Sequence, residues 1–275
     1  MSLPPLPRPG DPVSTSRAAG LFAIAIASTC AVSAATAQQA GPDGPGGSEW
    51  GLGIGVISGQ DPYRGIDRDT KALPMIRFEN EYVKVGGLGL EVKLPGLELG
   101  DSGRINFGLV GKAELGGYEA SDSPFLAGMA ERKGGFWAGA KAEWENELVD
   151  VSAQWTADTS GKSKGQRFSL GLEKKWRVGR QVMVVPHITA HWLDKKYVDY
   201  YYGVRTNEVT PDRAAYAGKA GANVEVGLRT MYMFDRNHSL MLDVAVTSLA
   251  KGIKDSPLVD RSSTNRVILG YIYSF

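Results

Sequence analysis

The sequence offers little thiol chemistry, since it contains a single cysteine, Cys30, among 275 residues. That cysteine lies in an N-terminal segment that we predict to be removed, which would leave the mature chain without a thiol. A chain without cysteine forms no disulfide, and it supplies neither a cysteine nucleophile nor a thiolate metal site.

Basic charge is not in excess either, because the formal net charge is only +1. Without residues 1–37, which hold Arg8, Arg17 and Asp11, the chain carries 29 basic and 29 acidic side chains. Nucleic-acid-binding proteins usually show a strongly basic surface, so this balance predicts no nucleic-acid partner.

Long apolar runs are also missing, whereas a transmembrane helix needs about 20 apolar residues. The longest candidate, residues 18–27, follows Arg17 and is diluted afterwards by Ser28, Thr29 and Cys30. With the small residues at 35–37, this is the pattern of a cleavable signal peptide. We predict a signal peptide at 1–37, a Gly/Pro-rich linker at 38–48 and a single β-rich domain at 49–275.

From Glu49 onward the hydrophobic pattern has a period of two, which is typical of β-strands with one apolar and one polar face. Trp50, Leu52, Ile54 and Val56 alternate with glycines, and the row Phe168, Leu170 and Leu172 alternates with Arg167, Ser169, Gly171 and Glu173. Many such segments reach ten residues, which is longer than the usual soluble strand of about 5–6 residues. This length favours a membrane barrel over the alternative, a soluble β-sandwich.

The connections between these segments alternate in length. Short turns fall at 80–81, 146–147, 178–179 and 235–237, and longer polar stretches fall at 58–70, 117–133, 158–165, 193–219 and 251–263. Short periplasmic turns and longer external loops are typical of bacterial outer-membrane barrels. The fold class is therefore predicted to be all-β, a transmembrane antiparallel up-and-down barrel. About twelve strands are expected if 82–94 splits in two, with ten as the alternative.

The C-terminal segment has a further barrel feature, an alternating apolar row that ends in an aromatic residue. The row is Val267, Leu269, Tyr271, Tyr273 and Phe275. It resembles the C-terminal signal by which outer-membrane barrels are recognised by the barrel assembly machinery. We therefore expect outer-membrane lipid and the assembly machinery among the partners, and the outer membrane as the location.

Several short stretches in a fixed order resemble the MltA-interacting protein family, also called the MipA/OmpV family. They are Tyr63-Arg64-Gly65 with Leu73-Pro74, residues 123–129 (SPFLAGM) with Arg132, residues 200–204 (YYYGV), residues 255–259 (DSPLV) and the terminal residues 271–275 (YIYSF). The tyrosine run at 200–202 is more aromatic than the family pattern suggests.

The resemblance implies a non-enzymatic outer-membrane scaffold for murein (peptidoglycan) synthesis and turnover. The implied partners are a lytic transglycosylase and a bifunctional penicillin-binding protein. Some relatives in the family are instead described as porin-like proteins, adhesins or surface antigens, so a small diffusion channel or an adhesin is the alternative function.

Residues that could support catalysis or metal binding have simpler explanations as side chains facing the barrel lumen. On a strand, His187 and His191 would lie about 13 Å apart, which is too far to share one metal ion. A serine such as Ser152 or Ser169 could pair with a histidine, but none lies in a nucleophile motif such as G-x-S-x-G. Glu143 with Glu145, and Glu79 with Glu81, could suggest a glycosidase, yet strand alternation accounts for both pairs. We predict no catalytic residues, no metal and no cofactor.

One long loop is unusually rich in aromatic and basic residues. Such loops suit recognition because a tyrosine ring buries a large area at a small entropic cost. A possible partner-contact surface is therefore predicted at Tyr197, Tyr200, Tyr201, Tyr202 and Arg205. The alternative is a girdle of aromatic rings at the membrane interface.

Overall fold

The structure is a computed structural model that describes residues 48–275. The predicted signal peptide and all but the last residue of the predicted linker lie outside the described residues. Fifteen strands follow one another, with the bounds β1 Glu49–Gly59, β2 Asp69–Glu79, β3 Val83–Gly86, β4 Gly89–Glu98, β5 Arg104–Ala113, β6 Gly117–Tyr118, β7 Arg132–Lys133, β8 Phe136–Glu145, β9 Asp150–Asp158, β10 Gln166–Glu173, β11 Trp176–Val178, β12 Val182–Leu193, β13 Gly221–Met233, β14 His238–Ser248 and β15 Ser263–Ser274.

Twelve of these strands form a closed antiparallel barrel. Each pairs with the next barrel strand along the chain, and β1 closes the ring by pairing with β15 from Gly51↔Ser274 to Gly59↔Arg266. The short β11 pairs with β12, as β10 does, and so continues β10 beyond an interruption at 174–175. The separate pair β6–β7 lies in a loop. The predicted split of 82–94 into two strands is confirmed, and the barrel has twelve strands rather than ten.

The alternating pattern places apolar side chains on the outside of the barrel. Leu170 on β10 and Val226 on β13 are exposed, as are Trp50, Leu52 and Ile54 on β1. Their neighbours point inward, where Arg167, Asp243 and other polar residues are buried. This arrangement is the reverse of a soluble protein and matches a barrel whose outer face contacts lipid.

The connections also follow the predicted alternation, with one exception. Residues 80–82, 99–103, 146–149, 179–181 and 234–237 make the short turns on the periplasmic side. Loops 60–68, 114–135, 159–165, 194–220 and 249–262 make the long connections on the outer side. The exception is the outer connection between β3 and β4, which consists of residues 87–88 alone.

Because β3 is short, it pairs with only the last three residues of β2, from Arg77↔Gly86 to Glu79↔Lys84. The rest of β2 has an unpaired edge on this side. The amide of Asn80 donates to the carbonyl of Val83 at 2.9 Å, so the backbone of Asn80 points toward the β3 side of β2. Backbone groups alternate in direction along a strand, so those of every second preceding residue, including Pro74, point toward the same edge. Proline lacks an N–H donor, which makes it suitable for an edge that has no partner strand. The Leu73-Pro74 motif therefore lies where the barrel wall is interrupted.

Two α-helices lie in the outer loops, α1 Lys195–Tyr202 and α2 Lys251–Lys254, together with 3₁₀ turns at Gly100–Ser102, Pro124–Leu126 and Thr206–Glu208. Asp194 begins α1, and its side chain accepts a hydrogen bond from the amide of Tyr197 at 2.8 Å. Among residues 48–275, no helix is long and apolar enough to cross a membrane.

Candidate functional site

The barrel lumen contains a network of buried ion pairs. Asp243 on β14 is fully buried and lies 3.3 Å from the Nε atom of Arg229 and 3.2 Å from an Nη atom of Arg266. Arg266 also lies 3.2 Å from Glu225. Because β13, β14 and β15 are adjacent and these residues all face inward, the network joins three neighbouring strands of one wall.

The facing wall contributes a second group of charges. Lys141 on β8 contacts Glu143 at 2.7 Å and Glu91 on β4 at 3.2 Å. An Nη atom of Arg229 lies 3.9 Å from Glu173 on β10, which extends the first group past the intervening strand β12. Charged side chains of both groups therefore face the same lumen.

Between these groups lies a small cavity of about 60 Å³, lined mainly by polar side chains of β8, β9, β10, β12 and β13. Both predicted histidines face it. Ser169 Oγ lies 2.9 Å from His191 Nδ1, and His187 Nε2 lies 3.8 Å from Glu225. The ring of His187 lies against Gly227, where a Cβ atom would come within 2.4 Å of Nε2, so a side chain at this position would displace the ring.

The Ser169–His191 contact is the one catalytic pairing that the sequence analysis considered and the structure brings together. In serine hydrolases a third, usually acidic, group orients the histidine through its second ring nitrogen. His191 Nε2 has no hydrogen-bond partner in the described part of the chain. The same part of the chain contains no group of three or more metal-binding side chains. The described lumen thus contains a serine–histidine contact without the third group of a catalytic triad.

The outer loops form a second feature, which we call the outer cap: loops 60–68, 114–135, 194–220 and 249–262. Residues from all four loops pack into one buried hydrophobic core, together with Trp137 and Leu193 at the strand ends. These loops leave the barrel at widely separated points of its rim. Since they contact one another, they must lie across the outer mouth of the barrel.

Buried polar contacts hold the outer cap together. Both oxygens of Glu208 accept hydrogen bonds from Arg132, at 2.9 and 3.0 Å, and both side chains are about 1% exposed. Burial opposes the ionisation of Glu208, but hydrogen bonds from the amides of Arg205 and Ala130 and from Arg132 outweigh it and lower the pKa of this carboxyl. Arg213 donates to the carbonyls of Glu208, Ala127 and Phe125.

The stretches that carry the family resemblance meet in the outer cap. The amide of Arg64 donates to the carbonyl of Leu258 at 2.8 Å, and Ser123 Oγ donates to the carbonyl of Arg64 at 2.9 Å. Ser256 Oγ donates to the carbonyl of Tyr202 at 2.6 Å, and Arg132 donates to the carbonyl of Tyr200 at 2.7 Å. Four stretches that are far apart in the sequence thus form one hydrogen-bonded unit, which sequence analysis did not predict.

The tyrosine loop differs from the surface that we predicted. Tyr197, Tyr201 and Tyr202 are buried in the core of the outer cap, with exposures of 2%, 2% and 4%. Tyr201 and Tyr202 follow Tyr197 by four and five residues, which places all three on one face of α1, and this spacing was the available signal for their burial. Tyr200 is half-buried and Arg205 is exposed, so only these two of the five residues are available to a partner.

The C-terminal row faces away from the lumen, as its alternation predicts. Leu269, Tyr271, Tyr273 and Phe275 are exposed by 36% to 69%, and Val267 is half-buried. The rings of Tyr273 and Phe275 pack edge to face at 5.0 Å. A role of this row in assembly remains a prediction.

Comparison with known proteins decides the family. The family model described as "MltA-interacting protein MipA" matches residues 52–275, which is most of the chain. The protein belongs to the MltA-interacting protein family. Its relatives include the putative outer membrane protein YiaT of Escherichia coli strain K12, 26% identical over 83% of this chain and 92% of the relative. The MltA-interacting protein of the same strain is 25% identical over 82% and 89%. OmpV of Vibrio cholerae is 23% identical over 81% and 84%.

Among solved structures, the chain is similar to the NanC porin, with a TM-score of 0.44 and 8% identity over 80% of this chain and 98% of that one. It is also similar to OmpT of Vibrio cholerae, with a TM-score of 0.42 and 9% identity over 85% and 98%. This member of the MltA-interacting protein family is an outer-membrane β-barrel.

Proposed function

We propose that this protein is a closed, non-enzymatic barrel that anchors murein-processing enzymes at the outer membrane. The observation that carries the proposal is the outer cap, whose hydrophobic core lies across the outer mouth. A diffusion channel needs a continuous aqueous path, and the position of the outer cap and the lumenal ion pairs argue against such a path. The name of one relative, the MltA-interacting protein, indicates the class of partner, a lytic transglycosylase.

A murein enzyme works in the periplasm, so the proposed contact surface is the periplasmic rim. Large apolar side chains are exposed there, including Leu99 after β4, Leu148 in the turn before β9 and Phe234 after β13, with exposures of 38%, 79% and 52%. Exposed leucines in turns give a partner apolar contact area even where the turns are short. A penicillin-binding protein would join the assembly through the transglycosylase or through the same rim.

The test measures binding of a purified lytic transglycosylase to the purified barrel by biolayer interferometry. Leu99→Asp and Leu148→Asp should each weaken binding about tenfold or more, since burial of one leucine contributes about 1.5–3 kcal/mol. Val209→Asp, an exposed position in the outer cap, is the matched control and should have no effect. Equal binding by all three variants, or no binding by the wild type, would overturn the proposal.

A second measurement separates the anchor from the alternative function. In planar bilayers the wild-type barrel should give no steady open-channel current, because the outer cap obstructs the mouth. A steady current from the wild type would instead support the small diffusion channel.

A further inference from the structure

The barrel wall has a notch on its outer side, between β2 and β5, where the hairpin of β3 and β4 is too short to fill the wall. The outermost pair between β2 and β3 is Arg77↔Gly86. Residues 69–76 of β2 continue beyond it, which is about 26 Å of strand. Within residues 48–275 no other strand pairs with that edge of β2. The notch is as wide as the two missing strand ends, about 10 Å.

The notch lies at the level of the lipid hydrocarbon. Ala72 on the free edge of β2 is opposite Val56 on β1, whose side chain is 39% exposed on the lipid face. The hairpin tip, residues 86–89 (GGLG), has no polar side chain, and Leu88 is 54% exposed. The other outer connections are polar, so this tip is the one suited to a position inside the bilayer. Acyl chains of the outer leaflet must therefore lie against the notch.

The free edge of β2 has backbone groups that hydrocarbon cannot satisfy. Thr70 and Ala72 each direct an N–H and a carbonyl into the notch, and Pro74 directs a carbonyl there. An unpaired backbone group in hydrocarbon is strongly unfavourable, which is why membrane barrels normally have no open edge. We expect water from the lumen to supply these hydrogen bonds, which means that the notch connects the lumen with the bilayer.

The lumen wall behind the notch is apolar, although lumen-facing residues of membrane barrels are usually polar. Its side chains occupy inward positions of β1, β2, β14 and β15, between the lipid-facing residues of the same strands. We call this set the apolar wall: Ile57, Leu73, Met75, Met241, Ile268 and Ile272. Met241 and Ile268 are buried, and the other four side chains are half-buried. Such a surface is better suited to an apolar occupant than to water.

Two glycines give the apolar wall a floor without side chains. Gly55 on β1 lies opposite Gly270 on β15 and opposite Leu73 on β2. A Cβ atom at Gly55 would come within 2.9 Å of the Sδ atom of Met75, and one at Gly270 within 2.8 Å of the same atom. The thioether of Met75 therefore lies over this floor. Because methionine is flexible and adapts to irregular apolar space, Met75 can move aside for another apolar chain.

We propose that the apolar wall binds an acyl chain of a lipid from the outer leaflet, which enters sideways through the notch. The chain takes the place of Met75 over Gly55 and Gly270, while the headgroup of the lipid stays at the membrane interface. The outer cap covers the outer mouth, which leaves the notch as the direct route from the outer leaflet to the apolar wall. This site does not depend on the proposed anchoring of a transglycosylase, since the two use different surfaces.

The test uses the whole barrel in phosphatidylcholine vesicles that contain a small fraction of phosphatidylcholine with a photoreactive diazirine on one acyl chain. After irradiation, mass spectrometry of peptides identifies the labelled residues. Ile54 faces the lipid and should be labelled in any case. The lumen-facing residues Ile57 and Met75 should be labelled as well. Thr189, which faces the lumen on β12 away from the apolar wall, should remain unlabelled.

Two variants test the site and the route separately. Gly55→Leu fills the glycine floor, and lengthening each strand of the β3–β4 hairpin by about four residues lets β3 pair with β2 and close the notch. Each should lower the labelling of Ile57 and Met75 about tenfold or more and leave that of Ile54 unchanged. Thr189→Leu adds a similar side chain elsewhere in the lumen and is the control. Heat-modifiable migration on gels identifies the folded barrels for comparison.

Absence of label from Ile57 and Met75 in the folded wild type would overturn the proposal. Undiminished labelling in the barrel with the lengthened hairpin would show that the chain does not enter through the notch, which would also overturn it. Crosslinks between two barrels along β2 would mean that a second copy fills the notch instead. Labelling by a diazirine analogue of octanoate in the buffer, but not by the phospholipid, would assign the site to a soluble fatty acid and contradict a bilayer source. Failure of the wild type to bind a transglycosylase, with lumenal labelling retained, would contradict the anchoring role and leave this inference intact.

Discussion

Asp61 is a carboxyl group in an unfavourable environment within the outer cap. It is 6% exposed, and its Oδ1 atom has no hydrogen-bond partner in the part of the chain that the structure describes. Burial raises the pKa of Asp61 from 3.8 to about 7, and the hydrogen bond to the backbone of Tyr63 only partly opposes this shift. Nearby acidic residues, Asp122 first among them, add to the shift.

The raised pKa makes the stability of the outer cap depend on pH. Between about pH 4 and pH 7, Asp61 is protonated in the folded cap but ionised in the unfolded segment, so proton binding stabilises the folded cap. This stabilisation has its full value below about pH 4. It is lost progressively as the pH rises to about 7. We expect the amides of loop 60–68 to be more strongly protected from hydrogen exchange at pH 5 than at pH 8, with each rate divided by the intrinsic exchange rate at that pH.

Asp61→Asn should remove most of this difference, because an amide keeps the shape of the side chain and does not ionise. The exposed residue Asp212 in the same cap provides the control, and Asp212→Asn should exchange as the wild type does. Equal pH dependence in Asp61→Asn and the wild type would contradict the assignment.

The buried pair Arg132 and Glu208 should be the most sensitive contact in the outer cap. Arg132→Met leaves the carboxylate of Glu208 buried without its charge partner, and such a loss typically costs about 3–5 kcal/mol. Glu208→Gln likewise leaves the guanidinium group of Arg132 buried without its charge partner. We expect both variants to unfold the cap locally and to speed its cleavage by protease, while the barrel stays heat-modifiable.

The double variant separates this pair from its surroundings. Arg132→Met combined with Glu208→Gln should cost less than the sum of the two single changes, since neither charge is left alone. Strict additivity, measured by hydrogen exchange of the cap loops, would show that the ion pair does not couple the two residues.

At the scale of the strand, β12 allows a matched test of which face contacts lipid. Ile188 is 43% exposed on the outer face, and Thr189 lines the lumenal cavity beside Glu173 and Glu225. Arginine on the lipid face near the middle of the bilayer costs about 2–4 kcal/mol, whereas in a lumen with carboxylates it has favourable neighbours. Ile188→Arg should therefore destabilise the barrel in a urea titration in lipid vesicles far more than Thr189→Arg does. Similar costs for the two variants would contradict the assignment of Ile188 to the lipid face and of Thr189 to the lumen.

The last strand carries a prediction about assembly. Phe275 is 69% exposed and its amide donates to the carbonyl of Trp50 on β1 at 2.9 Å, which is the final contact of the closing strand pair. Full burial of a phenylalanine contributes about 1.5–3 kcal/mol, so losing a ring this exposed should cost a folded barrel little. Deleting Phe275 should lower outer-membrane levels and leave unfolded chain in the periplasm, with the inserted fraction still heat-modifiable. Wild-type insertion in a pulse-chase experiment would show that Phe275 is not an assembly signal.

The strands were predictable from sequence because their two faces meet different environments. Each residue of β10, for example, faces either lipid or the lumen, so the alternation of apolar and polar residues runs through the whole strand. The outer cap was less predictable, since its core is built from short stretches of different loops with no common period. Even so, Tyr197, Val198, Tyr201 and Tyr202 show one helical face after the capping residue Asp194. The Ser169–His191 contact depends on the register between β10 and β12, which a single sequence does not specify.

For the whole molecule, we expect the outer cap and the lumenal ion pairs to obstruct the barrel in series, and they can be removed one at a time. Leu193 and Gly221 are paired at the outer ends of β12 and β13, so a four-residue turn can replace residues 194–220 without disturbing either strand. This change removes α1 and Glu208, the partner of Arg132, from the outer cap. The barrel strands keep the backbone hydrogen bonds between them. The shortened barrel should therefore still fold and should give a steady current where the wild type gives none.

The size of that current should show what the lumen contributes. Because the ion pairs of Arg229, Asp243, Glu225 and Arg266 still occupy part of the lumen, we expect the shortened barrel to conduct less than a twelve-stranded barrel with an empty lumen would. Adding Arg229→Ser removes a large side chain from the lumen and should raise the conductance again, while Asp243 keeps Arg266 as its partner. A shortened barrel as silent as the wild type would place the whole obstruction in the lumen, whereas full conductance on loop removal alone would place it in the outer cap. An increase at each step is what two obstructions in series require.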